Sequence, residues 1–249
     1  GTRLRAAGRE RIHEFHLSAE TPPFVAQHRV QGRILMPATG LLESVLCAAQ
    51  DALGAGTHSV EQVTLQEALM LDDDPAAART VQVVSTPQAD DSVAIRVCSM
   101  PADAAIDATW VEHVQAKAGG APEAASRPQS LAEARARCAE PVARDDFYRR
   151  LEAHGLDFGP AFHSIDAIRR GQDCAIAEVA LAAELADEAG AWRMHPVLLD
   201  GCVQVIAAAA SDADALYLPF SIGRYVLHGQ PGSACTAFAT MAAAASAET

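Results

Sequence analysis

No apolar run in the chain reaches the roughly 18 residues that a membrane-crossing helix requires, and the first residues, Gly1 to Arg5, lack a signal-peptide core. The cytoplasm is therefore the expected compartment, and no membrane partner is expected. Basic residues are also few. Against 32 acidic residues there are 19 Lys and Arg, a formal charge of -13, which argues against a general nucleic-acid or anionic-membrane surface. An acidic protein partner would have to dock on a local basic patch, for which Arg149 with Arg150, or Arg169 with Arg170, are the candidates. The six cysteines, at positions 47, 98, 138, 174, 202 and 235, show neither CxxC nor metal-finger spacing. They read as small core residues in a reducing compartment, not as metal ligands. GxSxG is absent, so no serine nucleophile elbow is indicated. An initiator Met is absent too, and Gly1 is expected to be a cut inside a longer polypeptide.

What is present suits a large core: half of the 249 residues are hydrophobic, enough for one large domain or two small ones. Residues 11–18 alternate as a half-buried strand, and Phe24 to Val30 reads as a second extended segment. Gly32 and Pro37 then punctuate the entry to a helix over 38–53, striped by Leu41, Leu42, Val45, Leu46 and Ala49. Strands are expected at 59–71, 80–86, 92–100 and 108–118. Residues 119–143, rich in Ala, Pro, Gly and Ser, read as a linker. Beyond it come a helix at 144–154, strands at 163–169 and 174–182, a second apolar helix at about 197–210, and strands near 216–228 and 234–242. The same order of elements thus occurs twice: residues 1–118 and residues 144–249 each place one long apolar helix among strands. Two such units side by side would wrap a continuous sheet around two helices.

Two stretches carry chemistry. His28 lies in an extended segment just ahead of a helix start, and Asp200 lies among Val197, Leu198, Leu199, Val203, Val205 and Ile206. Taken alone, such a His is more often structural, and such an Asp more often a solvated residue near a helix N-terminus. Buried, Asp200 would find partners or stay protonated. Gln204, one turn on, could orient it. One base and one acid suit elimination of water from a 3-hydroxyacyl thioester, with backbone N–H groups at a helix start stabilising the enolate-like charge.

His28, Gly32 and Pro37 match HxxxGxxxxP, and Asp200 with Gln204 matches DxxxQ/H; in these motifs the chain resembles the dehydratase domains of modular polyketide synthases. His195-Pro196, Leu218-Pro219-Phe220 and Gly155 to Phe162 also resemble that family, although Leu156 and Phe158 stand where tyrosines are usual. The resemblance implies an α+β double hotdog fold, each unit a long helix wrapped by an antiparallel sheet, with His28 as base and Asp200 as acid. Gly32, Pro37, Phe158, Gly159, Pro160, Gln204 and Pro219 would bind or orient substrate. It implies no intrinsic cofactor and no metal; the substrate would ride on the phosphopantetheine arm of an acyl carrier protein. The partners implied are that carrier and neighbouring domains of a multidomain synthase, a homodimer being left open. The second unit is expected to be truncated at its C-terminus.

Two alternatives stand beside the dehydratase. One is a double-bond isomerase or oxa-cyclising variant of the same fold, which departures at Asp200 or Pro37 would favour. The other is a non-catalytic scaffold. His13-Glu14-Phe15-His16 has HxxH spacing, but on a strand residues three apart face opposite sides, so one metal would not readily take both imidazoles.

Overall fold

The computed structural model describes residues 1–121, 130–210 and 220–242. Its first half runs β1 (Thr2–Leu4), β2 (Arg11–Leu17), β3 (His28–Val30), β4 (Arg33–Leu35), α1 (Ala38–Leu53), β5 (His58–Leu65), β6 (Met70–Leu71), β7 (Arg79–Pro87), β8 (Val93–Pro101) and β9 (Val111–Gly120). The second runs α2 (Leu131–Arg137), β10 (Glu140–Val142), α3 (Arg144–Ala153), β11 (Leu156–Phe158), β12 (Ile165–Gly171), β13 (Cys174–Ala180), α4 (Ala183–Ala186), α5 (Pro196–Ala209), β14 (Ser221–Val226) and β15 (Ala234–Thr240).

Helix α1 buries Leu41, Leu42, Val45, Leu46, Ala48 and Ala49, and a helix so apolar needs a sheet to cover it. The cover is an antiparallel sheet in the order β1-β2-β7-β8-β9-β5-β14, whose Val81, Val83, Ile95, Val97 and Val114 are buried with the helix in one core. Helix α5 buries Val197, Leu198, Leu199 and Val205 and packs on β13 and β15 of a second antiparallel sheet, β10-β12-β13-β15. A third sheet, β11-β3-β4-β6, takes strands from both halves. This is an α+β double hotdog, two long helices each wrapped by antiparallel strands.

Several expectations shift. The sheet is not continuous among the described residues: β14 leaves its own half to pair with β5, and β11 leaves to pair with β3. The segment 24–30 is extended only over its last three residues, because Pro23 opens a 3-10 turn over Pro23–Gln27. The expected strand 59–71 is two strands in different sheets, separated where the Leu69 carbonyl accepts from the Met36 N–H. Within 119–143, read as a linker, β9 continues to Gly120, β10 pairs with β12, and α2 forms under a capping box in which Ser130 and Glu133 satisfy each other's backbone N–H. Ala134 and Cys138 then pack with Cys174 and Ile176, burial that composition alone does not reveal. Of the cysteines, Cys98, Cys138 and Cys174 are buried, Cys202 and Cys235 are half-buried, and Cys47 is exposed.

Candidate active site

Positions Gln31 and Gly32 both have positive φ, 51° and 75°, the combination a two-residue hairpin needs to match the twist of its strands. The turn brings β4 back along β3, so the Leu35 carbonyl lies 3.0 Å from His28 Nδ1. A carbonyl oxygen can only accept, so Nδ1 carries the proton, and the lone pair of a neutral ring falls on Nε2. One side of the ring meets apolar surface. Strand β11 pairs with β3 so that Phe158 stands opposite His28, its ring stacked at 5.1 Å, while Phe162 lies at 5.0 Å and is tilted. Phe162 is placed by the short turn Pro160–Phe162, where Gly159 N–H donates to the Gln27 carbonyl and Ala161 N–H to Gln27 Oε1, each at 2.8 Å.

Asp200 arrives from the other half. Pro196 occupies the first helical position of α5, where its missing N–H costs nothing, and His195 Nδ1 caps the helix by accepting from Val197 N–H at 3.2 Å. One turn further, Asp200 is buried with Oδ1 4.0 Å from His28 Nε2. Gln204 Nε2 donates to Asp200 Oδ2 at 2.8 Å and to the Phe162 carbonyl at 3.1 Å, so one amide holds the carboxyl group and the aromatic turn together. Burial raises the Asp200 pKa above its ordinary value; His28 and the Gln204 hydrogen bond pull the other way and offset part of it. At Gly201 the helix meets the second sheet so closely that a Cβ would overlap Ser164 Oγ and Val179 Cγ1.

Gly159 and Pro160 lie in the turn that leads to Phe162, while His28, Asp200, Gln204 and Phe158 cluster around one point. Gly32 does not: it is exposed at the hairpin turn, where its N–H donates to Asp157 Oδ2 at 3.3 Å. Pro37 is the N-cap of α1, and Pro219 lies outside the described residues. The motifs did not point to the Leu35 carbonyl, because a backbone acceptor leaves no mark in a residue pattern; Phe162 ends the family-like stretch that begins at Gly155, but was not among the expected site residues.

The candidate basic patches are engaged within the chain. Arg149 pairs with Asp146 at 2.8 Å and Arg170 with Glu140 at 3.2 Å, Arg150 donates to the Ala207 carbonyl at 3.3 Å, and Arg169 to those of Cys138 and Ala139. His13 and His16 have separate neighbours, Asp51 at 3.8 Å and Thr80 Oγ1 at 3.4 Å. Among the described residues no group of three or more His, Cys, Asp or Glu side chains is placed to hold a metal ion, and no helix is long and apolar enough to cross a membrane.

Two family models match the chain in tandem, one described as the polyketide synthase dehydratase domain over residues 1–100, the other as the polyketide synthase dehydratase N-terminal domain over residues 126–249. Among curated proteins, the spectinabilin polyketide synthase system protein NorB of Streptomyces orinoci is 32% identical over 240 residues, 95% of this chain and 11% of NorB. Polyketide synthase GfsE of Streptomyces halstedii is 33% identical over 229 residues, 89% of this chain and 6% of GfsE. The chain therefore spans only 6% to 11% of the length of these two relatives. Among solved structures, the dehydratase domain from the CurF module of curacin polyketide synthase superposes with a TM-score of 0.89 at 26% identity, covering 97% of this chain and 87% of that one.

Proposed function

The chain belongs to the polyketide synthase dehydratase family, and from that premise we propose that it is a 3-hydroxyacyl-acyl-carrier-protein dehydratase, forming a 2,3-enoyl thioester during polyketide chain processing. His28 Nε2 takes the proton alpha to the thioester carbonyl as that C–H bond breaks. The electron pair passes into the new double bond, the carbon-oxygen bond at the 3-position breaks, and the Asp200 carboxyl gives its proton to the departing hydroxyl, which leaves as water. His28 is then protonated and Asp200 ionised, 4.0 Å apart. Return of the proton from Nε2 to the carboxylate, directly or through the water released, restores both groups.

One observation carries the reading. The hydrogen bond of Nδ1 to Leu35 puts the lone pair of neutral His28 on Nε2, and 4.0 Å from that atom is a carboxyl that burial drives toward its proton-donating form. Gln204 orients that carboxyl. Phe158 and Phe162 make the apolar wall of the base, Gly159 and Pro160 set the turn behind them, and backbone N–H groups at the start of α1, entered through Gly32 and Pro37, serve the thioester oxygen. Pro219 completes the set of orienting residues.

In this reading the substrate arrives on the phosphopantetheine arm of an acyl carrier protein, neighbouring synthase domains are the other partners, the compartment is the cytoplasm, and no further cofactor takes part. Residues 1–118 form the unit carrying the base and 144–249 the unit carrying the acid. Mass analysis of a 3-hydroxyacyl-loaded carrier incubated with the purified chain should show loss of one water; an unchanged acyl group would overturn the proposal.

A further inference from the structure

The base is tied to the strand that leads into helix α1, and the helix that carries the acid is tied to α1. His28 is tied through the Leu35 carbonyl, two residues before the N-cap Pro37. The lead-in to α5 is gripped by α1 itself. Glu43, only 3% exposed, accepts from Arg193 N–H through Oε1 at 2.7 Å and from Met194 N–H through Oε2 at 3.3 Å. One turn earlier on the same face, Thr39 Oγ1 donates to the Pro196 carbonyl at 3.0 Å. One turn later, Cys47 Sγ donates to Glu43 Oε1 at 3.5 Å. Three backbone groups immediately ahead of or at the start of α5 are thus held by one face of α1, and Asp200 follows four residues after the last of them.

A carboxylate inside an apolar helix face is expensive to bury, and its burial here raises the Glu43 pKa against the lowering effect of those two backbone donors and the thiol. A carboxylate presents acceptors at both ends, whereas a Gln in the same rotamer presents one acceptor and one donor, which would face a backbone N–H. Charge at this position therefore matches a definite task, holding two adjacent N–H groups at once.

We propose that Glu43, assisted by Thr39, is a positioning residue for the elimination: it fixes the entry to α5 so that Asp200 stands within reach of the substrate beside His28. This rests on the assignment of His28 and Asp200 as base and acid. Glu43 touches no reacting atom and acts only through the placement of Asp200.

The test compares Glu43→Gln, Thr39→Val and Thr39→Ser, assayed well below their melting temperatures with a 3-hydroxyacyl pantetheine thioester. For Glu43→Gln we expect kcat to fall about 10- to 100-fold with KM nearly unchanged, the size of loss that a displacement of about 1 Å brings. Thr39→Val should lower kcat less, and Thr39→Ser, which keeps the hydroxyl, should retain it. Ile176→Ala, in the satellite cluster under α2, should lower the melting temperature while kcat stays at the wild-type value. Placed in an Asp200→Asn background, Glu43→Gln should cause no further loss, because the group it positions has already lost its function. Retained kcat in Glu43→Gln, or an equal fold-loss in both backgrounds, would overturn the proposal. A crystal structure of Glu43→Gln separates the two readings: if wild type shows no turnover, the elimination reading fails, and an unchanged approach of Asp200 to His28 in the variant defeats the positioning claim independently of activity.

Discussion

Replacing Gln204 by Leu removes one amide and nearly no volume, yet it touches both stability and chemistry. Two hydrogen bonds disappear, to Asp200 Oδ2 at 2.8 Å and to the Phe162 carbonyl at 3.1 Å. Among the described residues the carbonyl keeps only Tyr148 Oη at 3.5 Å, so it is left poorly satisfied in the core. A buried acceptor in that state costs about 1–3 kcal/mol, and the remaining Tyr148 contact places the loss near the lower end. At about 2–4 °C per kcal/mol for a chain of this size, the melting temperature should fall by roughly 3–6 °C. The effect on Asp200 has a definite sign. The Gln204 bond lowers the carboxyl pKa, so losing it moves that pKa further up. Because Asp200 must be protonated to act as the acid, the alkaline limb of the kcat profile should move to higher pH, while the maximum kcat falls as the carboxyl loses its orientation. Thermal melts and pH–rate profiles of the purified variant measure both. A melting temperature equal to wild type together with an alkaline limb that stays in place or moves down would refute this account of the Asp200–Gln204–Phe162 link.

Asp200→Asn should lower kcat by about 10²–10⁴-fold but raise stability at neutral pH. The native carboxyl has its pKa raised by burial from an ordinary 3.8, so below that value both folded and unfolded states are protonated and the carboxyl carries no penalty. As pH rises through the folded pKa the unfolded chain binds fewer protons and folding stability is lost; Asn escapes that loss. Denaturant melts should therefore show the stability gap between variant and wild type growing as pH rises from 3.8, and a gap that shrinks would contradict the buried acid. Gly201→Ala should cost about 1–3 kcal/mol, because the new methyl overlaps Ser164 and Val179; chemical denaturation reads it, and an unchanged midpoint would show that α5 can lift from the sheet freely.

Much of this arrangement was legible from residue order. The apolar stripe of 38–53 and the Pro and Gly at its ends gave α1 with its observed limits, Ala38–Leu53, and the apolar run at about 197–210 gave α5, Pro196–Ala209, to within a residue. Single-strand pairing was not legible, since nothing in Ser221–Val226 says that its partner lies at 59–64 in the other half; that choice depends on what each strand finds beside it once both helices are covered. Near the site, His28, Asp200 and Gln204 were legible through the two motifs that resemble the dehydratase family; of the three, only Asp200 and Gln204 also stood out as polar groups in an apolar helical run. Glu43 carried the same signal, a carboxylate between Leu42 and Val45, but its partners are backbone N–H groups some 150 residues away, and a backbone partner has no letter in the sequence.

The central claim is that His28 and Asp200 are the base and acid of one site, and a kinetic cycle tests it directly. Rates of enoyl formation from a 3-hydroxyacyl thioester are compared for wild type, His28→Ala, Asp200→Asn and the double variant. Each single change should lower kcat by about 10²–10⁴-fold, as expected for loss of a positioned acid or base, and the double variant should be little worse than the poorer single one. Near-wild-type turnover in either single variant, or losses that multiply in the double, would contradict it.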